Sequence, residues 1–504
     1  LPAGKTALEL HDLTGFNGRV DAFYFTQEKG AVPPNDSKTL NTFRRKMLSL
    51  PQTEAGPFDL VVVGAGVAGC SAALSAARLG LKVALLSNRP ILGGANSPEI
   101  GVGLAGEPDK NLYRKIGNIT RELSGNIVPK EGEKERLIEP PWGRGKTGTS
   151  YLPVRGTEPE VADLRLKIVR EEKNISLYLN THATGVEMEG SRIAAVRAKS
   201  IETGEETLFR SKLFADCTGD GSVGHLAGAD YVEGREARDF ADEPTAPQKA
   251  DDLHMGMSVL WETSEEDKLV DFPALVEIPW VGQGYDKCHV KGTKAHWWWE
   301  TGFRIDNATE AEVVRDNALR TMFGNWSYLK NNLKLHPNHQ LSRVRHIGGK
   351  RESRRLLGDV VLNENDIVEQ VPYPDASYTT TWSIDLHYPQ RGATRHFPGW
   401  EWLSHCTQDH IAPYHVPYRP LYSRNIENLF MAGRCVSVTH IALGTVRVQV
   451  TTGMMGEVVG CAATVCCQHN TFPRGVYAQH LDELKKQMEL GIPTKPNALQ
   501  QETV

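Results

Sequence analysis

The sequence predicts an α/β protein in which a doubly wound, mainly parallel sheet is interrupted by a mixed α+β insertion. Three observations lead there. Residues 58–80, FDLVVVGAGVAGCSAALSAARLG, read as an apolar strand, a glycine-rich turn and a helix with small residues (Ala73, Ala77, Gly80) on one face. A second strand-like run, Lys82–Leu86, follows at once, and strand endings recur much later in FADCTGDG (214–221) and NLFMAG (428–433). Between those two, residues 236–420 hold most of the tryptophans, many prolines and short strand-like runs separated by turns.

The first element is the most specific. The apolar run Leu60–Val63 suits a strand buried on both faces and leads into Gly64-x-Gly66-x-x-Gly69. Gly64 permits the tight turn, Gly66 lets backbone approach a pyrophosphate, and Gly69 lets helix and strand pack closely. Val67 and Ala68 open the helix, whose free N–H groups and dipole favour phosphate. Dinucleotide binding is the expectation.

Composition narrows the alternatives. A chain of 504 residues exceeds what one core usually holds. The formal charge of −5 argues against nucleic acid as the main partner. The most apolar stretch, residues 441–467, contains Arg447 and Glu457 and is rich in Gly and Ala, so it reads as a buried helix and not a membrane span. Eight cysteines without CxxC spacing fit neither a disulfide scaffold nor a zinc site, and no metal is expected. The chain begins Leu-Pro-Ala-Gly without Met, which leaves export after signal removal and cytoplasmic residence both open.

The expected organisation starts with a leader over 1–55 packed on the first domain. Dinucleotide-domain segments follow at 56–105, 156–235 and 421–470. A loop-rich stretch (106–155) lies near the active site, the substrate domain is inserted at 236–420, and a helix and tail end the chain at 471–504. The clearest helix of the insertion is expected over 309–332, with Asn307 and Thr309 as possible caps.

The order GAGVAG, SNRPILGGANSPE (87–99), FADCTGDG, then NLFMAGR and CVSVTHIALGTVRVQVTTGMMGEVVG (428–460) resembles the glutathione-reductase-like FAD flavoproteins. HWWWETG (296–302), RRLLGD (354–359) and WSIDLH (382–387) are similar to motifs of a bacterial FAD-dependent oxidoreductase branch often encoded near carbohydrate-degrading enzymes. The resemblance implies a Rossmann-like FAD-binding domain and noncovalent FAD. Ser87, Asn88 and Arg89 fall where the fold meets the adenosine ribose and its surroundings, although the usual acidic residue is missing. Gly93, Gly94, Ala95, Asn96 and Ser97 would follow the pyrophosphate and flavin edge, with local turn capping as the competing role for Asn96 and Ser97. Ala183 matches the adenine-side strand, and Thr218, Gly219 and Asp220 the phosphate side. Gly433 and Arg434 would meet the ribityl region.

A helix beginning near Gly444–Thr445 is expected to aim Thr445, Val446 and Arg447 at the flavin pyrimidine, where reduced flavin carries negative charge. The alternative for Arg447 is structural pairing with Glu457 or another acid. His440 and His387 are candidate bases for an alcohol proton as hydride passes to flavin N5. Trp299, Glu300, Trp382 and His387 are candidate substrate contacts, with core packing as the alternative for the tryptophans. The resemblance and these aromatics imply a small polar, carbohydrate-like substrate. No second glycine-rich strand–helix unit is seen, so oxygen, a quinone or a protein carrier remain the acceptors in view. An FAD-containing lyase, isomerase or hydratase acting on glycosides or uronic acids is the alternative function.

Overall fold

A computed structural model describes residues 7, 9, 23–48, 52–129, 133, 137, 152–275, 291–294, 299–391 and 400–496. Trp297 and Trp298 of the HWWWETG motif lie outside these. Residues 1–51 form one compact unit, in which Ser37–Leu48 is helical, and residues 52–504 form another.

In the second unit, β1 (Gln52–Val63), α1 (Val67–Arg78) and β2 (Val83–Leu86) come first. Next are α2 (Pro159–Glu171), β3 (Ile175–Tyr178), β4 (Thr181–Glu189), β5 (Arg192–Ser200) and β6 (Glu206–Asp216). Among the described residues, seven strands make one sheet. Its parallel part runs β3-β2-β1-β6 and then β9 (Leu429–Met431), while β4 and β5 add an antiparallel meander to the other end of β6. Leu60–Val63 of β1, all of β2 and the end of β6 are buried, as parallel strands covered on both faces must be. Pairing aligns Val63 with Leu86, Val63 with Asp216, and Asp216 with Met431. Four strand ends therefore share one rim, and Gly64, Ser87, Cys217 and Ala432 all leave from it.

The segment between β6 and β9 carries α3 (Ala311–Asn331) and small antiparallel pairs, including the hairpin β7 (Ile384–Pro389) and β8 (Ser404–Asp409), with His387 opposite Cys406. Helix α3 matches the expected span, but Asp306 is the residue that accepts from the backbone of Ala308 and Thr309 and from the Thr309 hydroxyl. Asn307 caps nothing. Its side chain is buried without a partner.

The closing helix also differs from expectation. A short α4 (His440–Val446) precedes the long α5 (Gln449–Gln468), separated by Arg447 and an extended Val448. The chain is tied to β7 before it can continue: the Thr445 hydroxyl donates to the Trp382 carbonyl, and a Cβ on Gly444 would lie 2.9 Å from the Asp385 nitrogen. Helix α5 is the one helix among the described residues long and apolar enough to cross a membrane, and it is 94% buried. It packs on α1 backbone to backbone, since a Cβ on Gly456 would lie 2.1 Å from the Ala68 carbonyl oxygen.

Candidate active site

The glycine-rich turn is built as its spacing requires. Gly64 has φ +99°, and a Cβ on Gly69 would sit 1.8 Å from the Gly64 carbonyl oxygen. Gly66 is different: a Cβ there meets only Gly94 Cα, at 4.0 Å. The space beside Gly66 at the N-terminus of α1 is therefore an open groove, flanked by the Gly93–Gly94 turn, which packs on Gly66 and is anchored by Gly93 N–H donating to the Ala65 carbonyl at 2.8 Å. Arg165, buried in α2, braces that turn from behind, with Nη1 donating to the Leu92 carbonyl (3.2 Å) and Nη2 to Asn96 Oδ1 (2.8 Å). Asn96 also donates to the carbonyls of Val102 and Arg155. Its side chain is a staple for the loop and is not offered to a ligand.

Other polar residues of these loops likewise close their own turns. Ser87 accepts from Arg89 N–H, Ser97 accepts from Glu99 N–H, and Thr218 donates to Asp216 and accepts from Ser222 N–H. Asn88 is exposed, and Arg89 lies 3.6 Å from Glu99. Ala183 is buried in β4. Asp220, just beyond Gly219, does not cap a helix. It accepts from Lys350 (2.5 Å), Ser353 (2.8 Å) and Arg434 (3.2 Å), and although burial opposes ionisation, Lys350 and then Arg434 hold its carboxyl below the usual range.

A cavity of ≈420 Å³ adjoins this rim. Ala95 and Arg434 face it from the dinucleotide side, Trp382 from just before β7, Asp385 and His387 from β7, Ser404, Cys406 and Gln408 from β8, and Arg447, Val448 and Gln449 from the break and the first residue of α5. Lys350 and Arg351 complete the charged lining. The N-terminus of α5 thus reaches the cavity, several residues later than the sequence suggested.

His387 is not free to act as a base. Its Nδ1 donates to Glu300 and its Nε2 lies 3.3 Å from Asp385, so both nitrogens hold protons. Burial alone would lower its pKa, but Glu300 and then Asp385 outweigh that and raise it to about 10. Glu300 is wholly buried behind the wall, where it also accepts from Ser404 (3.0 Å) and pairs with Arg351 (3.1 Å). Arg447 pairs with Asp385 at 2.9 Å and not with Glu457, which instead accepts from Gly117 and Thr120. Asp385, His387 and Cys406 could reach one metal ion, but the carboxylate and both imidazole nitrogens already have partners.

The match to a family model decides the identity: the FAD dependent oxidoreductase model fits residues 59–488. The chain belongs to the FAD-dependent oxidoreductase family. The curated relatives are local matches. A tRNA uridine 5-carboxymethylaminomethyl modification enzyme of Finegoldia magna is 27% identical over 35% of this chain and 26% of its own length. A digeranylgeranylglycerophospholipid reductase of Picrophilus torridus is 28% identical over 34% of this chain and 42% of its own. The chain thus spans less than half the length of these curated relatives. A geranylgeranyl bacteriochlorophyll reductase-like protein from Thermoplasma acidophilum aligns with 86% of the chain and 83% of its own, at 13% identity and a TM-score of 0.36.

The FAD-dependent oxidoreductase fits its cofactor on local grounds. The groove at Gly66 has room where a side chain would stand, and Arg434 Nη1, next to the rim, is a buried donor without a protein partner. The remaining expectations divide. His440 donates from Nδ1 to Glu352, its Nε2 is buried without a partner, and it is absent from the cavity wall. Trp299 packs in an aromatic cluster with Trp402 (4.9 Å) and Trp261 (5.9 Å), which removes it from substrate contact. Thr445 and Val446 are buried in the core beneath Trp382. Sequence reasoning missed Asp385, Arg351, Lys350 and Cys406. Only Asp385 left a signal, since it shares a strand face with His387 two residues on.

The buried ions set a pH dependence. Folding raises the His387 pKa, so its stabilisation is complete below about 6.5 and is lost as pH rises toward 10. Burial raises Glu243 to about 7 from 4.5, so the folded state holds the extra proton and loses stability as pH rises across that interval. Glu352, buried but held low by His440 and then Arg355, acts at the acid end. Urea unfolding midpoints are expected to peak near pH 5 and fall steadily toward pH 9. A midpoint that rises between pH 6 and 9 contradicts these assignments.

Proposed function

We propose that the protein catalyses hydride transfer between a small polar, carbohydrate-like substrate and noncovalently bound FAD. The observation that carries this reading is the cavity's position. Ala95, the residue after the Gly93–Gly94 turn, and Arg434 line it on one side and the charged hairpin β7–β8 on the other, with the start of α5 between them. Gly66, Gly93 and Gly94 would hold the diphosphate in the turn that Gly64 and Gly69 shape, and Gly219, Gly433 and Arg434 the stretch leading toward the cavity. When bound, FAD supplies a two-electron acceptor for hydride.

The chain's own residues do the remainder. Arg447 and the α5 N-terminus favour negative charge at their end of the cavity. Trp382 offers an apolar face, and Ser404 and Gln408 offer hydrogen bonds, which supports a hydroxyl-bearing substrate. His387 orients and charges the wall and does not accept the substrate proton. Anaerobic mixing of the purified yellow protein with sugars, glycosides and uronic acids tests the reading. Bleaching of the visible flavin band supports hydride transfer. Product formation with an unchanged spectrum supports the alternative, an FAD-containing lyase, isomerase or hydratase.

A further inference from the structure

The hairpin wall carries more positive charge than its own carboxylates neutralise, and we propose that this surplus recognises a carboxylate on the substrate. The proposal rests on the reading above for the place of reaction and deepens it by naming the substrate's charge. Two groups of ions face the cavity. In the first, Arg351, His387 and Arg447 pair with the carboxylates of Glu300 and Asp385, through Arg351–Glu300 at 3.1 Å, Arg447–Asp385 at 2.9 Å, and His387 to both. Because both imidazole nitrogens donate to carboxylates, this group holds three cations against two anions. In the second, Asp220 stands between Lys350 and Arg434, two cations against one anion. Among the described residues, Asp385 is the sole carboxylate on the cavity wall itself.

Each group also leaves a donor unused. Arg447 Nε and Arg434 Nη1 are buried and have no protein partner. A buried charged donor without a partner is costly, and an anion that supplies its acceptor removes that cost. The second group lies beside Gly219 and Gly433 at the sheet rim, where the anionic groups of FAD match it. The first is built on the hairpin and on Arg447, beside Ser404, Cys406 and Gln408. Guanidinium groups pair with carboxylates in planar, directional geometry, so a hydroxy acid or sugar acid suits this wall better than a neutral polyol.

Calorimetric titration of the full flavin-loaded chain at low ionic strength tests this with matched probes, D-glucuronate against D-glucuronamide and succinate against succinamide. The acid of at least one pair is expected to bind ten times more tightly or better, with the preference shrinking as salt rises. Arg447→Gln should weaken acid binding about tenfold and leave amide binding unchanged. Gln408→Glu keeps the side chain's shape and adds one negative charge, so it should abolish the preference without removing a buried ion. Equal affinities within both pairs, no binding of either acid, or a preference that survives Gln408→Glu overturns the proposal. Flavin content is read on the same samples. Colourless protein that still prefers the acid refutes the FAD reading alone, and yellow protein without a preference refutes this inference alone.

Discussion

Gly69→Ala is expected to give protein that retains no flavin and unfolds well below the parent. The added Cβ would stand 1.8 Å from the Gly64 carbonyl oxygen and 3.1 Å from Cys217 Cβ. Backbone on both sides is fixed by the sheet, so no rotamer relieves the clash, and overpacking of this kind costs about 3 kcal/mol. Gly66→Ala is the informative partner. Its Cβ meets no protein atom closer than 4.0 Å, so the fold should melt as the parent does. The same methyl group occupies the groove, and flavin affinity should fall by tenfold or more. The flavin-to-protein absorbance ratio and a melting curve on each variant decide the matter. Gly66→Ala protein with parental flavin affinity would show that the cofactor does not use this groove.

Glu300→Gln should have the second largest effect, on stability and on the charge of the wall. The carboxylate is 1% exposed and holds Arg351, His387 and Ser404 together. Removing one member of a buried ion cluster strands the others and costs about 3–5 kcal/mol. His387 would lose its larger electrostatic support, so the decline of stability between pH 6.5 and 10 should shift to lower pH. Urea unfolding of parent and variant across that range measures both effects. An unchanged midpoint and an unchanged pH profile would mean that Glu300 does not organise the wall.

The strand–turn–helix core of the dinucleotide half was legible in the sequence. An apolar run, a GxGxxG turn and a small-residue helix face are local patterns, and each has one physical reading at its spacing. The same logic anticipated the return strand ending at Asp216, the strand before Gly433 and a buried, Gly/Ala-spaced helix. It erred where local chemistry had two outlets. Asn96 could cap or bind, and the packed loop took its amide; Trp299 could line a pocket or fill a core, and the Trp261–Trp402 cluster claimed it. The break between α4 and α5 was hidden because a contact from β7, distant in sequence, causes it.

The amino-acid order by itself thus determined where the glycine-rich turn forms and which apolar runs become buried strands, because those features depend on neighbours a few residues apart. Only the tertiary structure decided the charged wall. Glu300, Arg351, Asp385, His387 and Arg447 are scattered over almost 150 residues, and their pairing depends on the register of β7 against β8 and on where α5 begins. Ionic interactions act through space and leave no periodic trace along a chain, so the same histidine reads as a base in the sequence and stands as a fixed cation in the fold.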